Sequence, residues 1–95
     1  KDPLAFLDAN PKKLQPVYNA IDAVMATKSA ETPLIGFCGA PLTTLFYMIQ
    51  GLSSNHQFPA AVEMMYRDKD TTNRLLTAVT DLSIEYALTQ VKHGI

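Results

Sequence analysis

Apolar positions along the chain change their period at Pro33. Before it, Leu14, Val17, Tyr18, Ile21, Val24 and Met25 recur at three- and four-residue spacing, the stripe of a helix with one inward face. Pro16 would remove a hydrogen bond from the interior of a longer helix, so the pattern predicts a start near Gln15 or Pro16 and an end near Ser29. After Pro33, the apolar run of Leu34, Ile35 and Phe37 is short and stops at Gly39-Ala40-Pro41. A run of that length between turn residues predicts one buried strand over about residues 33–38. Helical spacing then returns from about Thr44 to Gln50, where Gly51 ends it. Phe58-Pro59 opens another helix, with Val62, Met65 and Tyr66 on one face. Asp70 is a good N-cap for a last helix that carries Leu75, Leu76, Val79, Leu82, Tyr86 and Val91 inward, with Gly94 as its C-cap. Asp2-Pro3 ahead of Leu4, Phe6 and Leu7 predicts a further helical turn, a signal that Asn10-Pro11 repeats. Ser53-Ser54-Asn55-His56 reads as a polar loop.

A strand that feeds a turn and then a helix is the building step of parallel α/β proteins, and this sets the fold class as α/β. In such proteins ligands meet the chain where strands end and helices begin. Residues 37–44 are therefore the expected ligand-facing stretch. A lone strand leaves its own backbone groups unpaired. The expectation is a mostly helical piece of a larger α/β domain, a whole α/β barrel needing about 250 residues, with residues 1–95 forming one unit without an internal boundary.

Composition narrows the picture by exclusion. Hydrophobic residues make up 47% and charged residues 18%, too apolar for a chain that stays unfolded. Net charge is −1 with both signs interspersed, so nothing favours nucleic acid or an anionic membrane surface. No apolar run approaches the length of a bilayer span. The one cysteine, Cys38, excludes an internal disulfide, suits a reducing compartment and reads as a small buried or semi-buried filler. His56 and His93 are expected in solvent. Gly36-Phe37-Cys38-Gly39 lacks the spacing and the lysine of a phosphate-binding loop.

The segment PLIGFCGAP at residues 33–41, with Tyr47-Met48-Ile49-Gln50-Gly51 after it, resembles the uroporphyrinogen decarboxylase family. That family carries PLIGF-x-G-x-P-W-T-L followed by Y-M-x-E-G. The likeness extends to Met64-Met65-Tyr66, Leu75-Leu76, Tyr86, Gln90 and Gly94, and upstream to Asn10-Pro11 and residues 17–21. It implies a (β/α)8 barrel, a cytoplasmic homodimer, and cofactor-free conversion of the acetate side chains of uroporphyrinogen III to methyls, giving coproporphyrinogen III. The tetrapyrrole would be the partner. By the same resemblance Phe37 matches a phenylalanine that packs against the tetrapyrrole. Tyr47 matches a tyrosine whose hydroxyl reaches the substrate beside a catalytic aspartate. The central aspartate and arginine groups would precede Lys1, so the 95-residue chain alone is expected to be inactive and to self-associate through exposed apolar surface.

The chain departs from the family pattern at Leu42 (usually Trp or Phe), Gln50 (usually Glu) and Leu52 (often Gly), and the loop from Gly51 to Phe58 is one residue longer. These departures favour a relative, foremost the corrinoid-dependent methyltransferases, which use zinc to activate a thiol such as coenzyme M. Their metal needs a His and two Cys, which the resemblance places beyond Ile95; Cys38, His56 and His93 show no metal-like spacing.

Overall fold

Prolines and one aspartate set where the helices begin. The computed structural model describes residues 11–51 and 58–95. The expected turn near Asp2-Pro3, the 53–56 loop and its length, Leu52 and His56 lie outside the described residues. A 3₁₀ turn at Pro11–Leu14 leads into α1, Gln15–Thr27. Pro16 falls in the first turn of α1, where its missing N–H would have had no helical partner. Helix α2 spans Pro41–Gln50 and starts three residues before the predicted Thr44, because Pro41 itself takes the first helical position behind an extended Ala40. Gly51, at φ 75°, stops it.

Helix α3, Pro59–Arg67, starts where expected. Its N-cap, Phe58, is in the left-handed region at φ 48° and supplies no capping side chain. Helix α4, Lys69–Lys92, is capped by Asp68 rather than Asp70: the Asp68 Oδ1 accepts the Thr71 N–H at 3.1 Å, and Asp70 sits inside the first turn. At the other end the Ile95 N–H donates to the Gln90 carbonyl and the Gly94 N–H to that of Val91, both within 3.1 Å. This paired closure requires the left-handed φ of 113° that Gly94 adopts. A Cβ there would also lie 2.7 Å from the Met25 Cε on α1.

Among the described residues no strand forms. Residues 33–40 run without helix or ladder bonding, so the expected strand over 33–38 is corrected. The physical reason is nonlocal: a strand exists through hydrogen bonds to a neighbour, and the described chain offers its 33–38 backbone no second strand.

Helix α4 backs the other three. Leu45 of α2 packs with Leu75 and Val79 of α4, and Ile49, Met64 and Leu76 close around them. A second contact zone joins α1 to the end of α4 through Tyr18, whose ring lies 6.1 Å from Tyr86 and stacks on His93 at 5.3 Å. Val91, expected inward, is exposed, as are Ile84 and Leu88 on the same outer side of α4. The radius of gyration is 16.2 Å, against about 13 Å for a compact domain of 100 residues. The helices therefore form an extended layer, with extents of 50 × 29 × 16 Å. No helix among the described residues is long and apolar enough to cross a membrane.

Candidate functional site

Two sequence-derived candidates, Phe37 and Tyr47, sit on different parts of this layer. Phe37 belongs to the irregular 33–40 segment, and 82% of its surface is exposed. It borders a shallow hollow of about 250 Å³ formed with Gly36, Ala87, Gln90, Val91 and Ile95. The ring is turned outward while its backbone is held from behind. The Phe37 N–H donates to the Gln90 Oε1 at 3.2 Å, and the Gln90 Nε2 donates to the Phe37 carbonyl at 2.8 Å. Gln90 is only 5% exposed.

Tyr47 is 38% exposed on α2 and does not line the Phe37 hollow. Its ring meets Phe58 edge-on, with centroids 5.1 Å apart and planes at 87°. Phe46 also packs against Phe58, with centroids 5.7 Å apart. This aromatic trio fixes the ring of Tyr47, while its hydroxyl makes no hydrogen bond with the described residues and stays available to donate or accept.

A family model described as Uroporphyrinogen decarboxylase (URO-D) matches residues 2–95. The chain belongs to the uroporphyrinogen decarboxylase family. It is 36% identical over 92 residues to the uroporphyrinogen decarboxylase of Sphingopyxis alaskensis, covering 97% of this chain and 27% of that protein. It is 37% identical over 91 residues to that of Mycobacterium marinum, covering 96% and 25%. The likeness to that of Brucella ovis is 40% over 83 residues, covering 87% and 24%. The chain thus spans about a quarter of the length of these relatives. No solved structure matches it.

Within the uroporphyrinogen decarboxylase motif, one departure has a structural explanation. The Gln50 Oε1 accepts the N–H groups of Ala60 and Ala61 at 2.8 and 3.2 Å. It caps α3 from the end of α2, replacing the cap that Phe58 does not supply. A glutamate there would accept the same two bonds and add a favourable charge at the helix N-terminus. The Gln50 change is therefore conservative for this contact and carries little information about the reaction. Leu42 is exposed, and no contact in the structure accounts for it.

Two expectations are corrected. Cys38 is exposed rather than buried, with its Sγ only weakly engaged, 3.8 Å from the Ser83 carbonyl. Its place in an irregular segment leaves it little to pack against. His93 is half-buried rather than in solvent, since its ring stacks on Tyr18 and its Nδ1 lies 2.6 Å from the Asp22 Oδ1. That contact ties the last turn of α4 to α1. Among the described residues no group of His, Cys, Asp and Glu is arranged to hold a metal ion.

Gln90 and Gln50 are the residues whose roles the sequence alone does not reveal. Gln90 belonged to the resemblance, and a glutamine on the inward side of an apolar helix is the one signal that could have singled it out.

Proposed function

We propose that this sequence is part of the catalytic barrel of an enzyme that decarboxylates uroporphyrinogen III to coproporphyrinogen III without a cofactor. The carrying observation is the Phe37 ring, turned to solvent on a backbone clamped from behind at both of its polar atoms. A porphyrinogen offers a broad apolar face, and an outward aromatic ring fits against such a face. In the full barrel this segment would end at the mouth of the cleft, with Phe37 facing it and its backbone still paired with Gln90.

The chemistry needs a developing positive charge on a protonated pyrrole to be stabilised by a nearby carboxylate. In this reading the carboxylate and its arginine partners come from sequence ahead of Lys1, and Tyr47 contributes a hydroxyl that orients the carboxylate or donates to a substrate acid. The packed ring of Tyr47, and a hydroxyl that makes no hydrogen bond among the described residues, are compatible with that role. The enzyme would act as a cytoplasmic homodimer.

The test is incubation of the full-length protein with uroporphyrinogen III, followed by separation of the porphyrins formed after oxidation. Coproporphyrin as the end product supports the reading. Untouched uroporphyrin, together with transfer of a methyl group to a thiol by the zinc-loaded protein, would replace it with the methyltransferase reading that Leu42 favours.

A further inference from the structure

Gln90 has the geometry of a neighbouring strand compressed into one side chain. A carboxamide carries the same donor and acceptor as a peptide unit, and this one pairs with the N–H and the C=O of a single residue, Phe37. That is the exchange two residues make across an antiparallel ladder. The clamp is also built to be close. A Cβ on Gly36 would lie 2.8 Å from the Gln90 Oε1 and 2.5 Å from the Ile95 Cγ2, so a side chain there would push the carboxamide out of its present place. The base of the clamp is fixed too. The Gln90 carbonyl accepts the N–H groups of both His93 and Ile95 at 3.1 Å, in the closing turn of α4. His93 in turn is held by Asp22 and Tyr18 of α1.

We infer that Gln90 is a positioning residue: its buried carboxamide sets the backbone at Phe37 and thereby the direction in which the ring is presented to substrate. The inference deepens the function proposed above and rests on it for the identity of the substrate. Gln90 itself touches no substrate in this account. A glutamine at this site keeps both bonds of the clamp, whereas leucine keeps most of the packing volume and loses both, and glutamate keeps only the acceptor.

The experiment uses the full-length protein with Gln90→Leu, Gln90→Glu, Phe37→Ala and the Gln90→Leu/Phe37→Ala pair. Hydrogen exchange read by mass spectrometry on a peptide covering residues 34–40 needs no substrate. Loss of the clamp bond should speed exchange there by roughly ten-fold in Gln90→Leu, the scale of one net hydrogen bond. KM for uroporphyrinogen III should rise by roughly ten-fold with kcat little changed, since a misdirected packing face weakens ground and transition state alike. In the Phe37→Ala background the same Gln90→Leu change should leave KM unmoved, because the ring it positions is gone. Gln90→Glu should fall between wild type and Gln90→Leu in both readouts. Unchanged exchange in Gln90→Leu overturns the inference, and so does a KM effect that persists at full size without the Phe37 ring. If the wild type turns over no porphyrinogen, the decarboxylase reading fails, and the exchange comparison still upholds or overturns the clamp.

Discussion

Phe37→Ala separates a binding role from a packing role because the two predict different magnitudes in different assays. A phenylalanine side chain can bury about 200 Å². With 82% of Phe37 exposed, folding hides only about a fifth of that area, worth about 1 kcal/mol at about 25 cal/mol per Å². The truncation should therefore lower the free energy of unfolding by about 1 kcal/mol or less. A porphyrinogen lying on one face of the ring would cover about half of what remains, an area worth about 2 kcal/mol. Since about 1.4 kcal/mol is a factor of ten, KM should rise about 30-fold. A packing face serves ground and transition state equally, so kcat should hold within about two-fold. The assays are steady-state decarboxylation of uroporphyrinogen III and urea unfolding followed by circular dichroism, both on the full-length protein. An unchanged KM would refute the reasoning, as would a loss of more than about 2 kcal/mol in stability, which would make Phe37 a core residue in the complete fold.

Tyr47→Phe keeps the edge-on contact with Phe58 and removes only the hydroxyl; kcat should fall by about ten-fold, the scale of one charge-assisted hydrogen bond, with the melting curve unmoved. Full activity would reduce Tyr47 to packing. Leu45→Ala empties the centre of the Leu45–Leu75–Val79 cluster, where Leu45 is 1% exposed, and should cost about 2–5 kcal/mol by urea denaturation. Leu42→Ala, on an exposed part of the same helix, should cost less than about 1 kcal/mol; equal costs would mean the cluster is not the core. The Asp68 carboxyl is held below its ordinary value, first by the hydrogen bond with the Thr71 side chain and then by the Thr71 backbone N–H. A lowered carboxylate favours the folded state above its unfolded pKa and loses that contribution as pH falls through the folded value. Asp68→Asn should therefore flatten the acid limb of a stability profile between pH 2 and 5 relative to wild type, and coincident limbs would discount the cap.

Local pattern was enough for the helices. The spacing of Leu14, Tyr18, Ile21 and Met25, the prolines at 16 and 59 and the glycines at 51 and 94 place four helices to within a few residues. Periodicity and start and stop residues are properties of neighbours in sequence, so they survive without knowledge of the fold. Errors came where two local signals compete. Asp68 and Asp70 are both good N-caps, and the Thr71 N–H chose the first. The dense motif from Pro33 to Gly51 was likewise sufficient for the family, because a string of residue types is itself local information.

What tertiary structure decided is everything that depends on residues far apart in the chain. Whether residues 33–38 form a strand depends on a partner that their own sequence cannot supply, and among the described residues they form none. The pairing of Gln90 with Phe37 spans 53 positions, and that of His93 with Asp22 spans 71. Neither leaves a trace in periodicity, since a glutamine and a histidine near a helix end look like ordinary polar residues until a backbone or a ring is brought against them. Exposure follows the same rule: apolar spacing marks Val91 and Phe37 as candidates for burial, but only the packed arrangement determines which apolar side chains are covered and which are left facing outward.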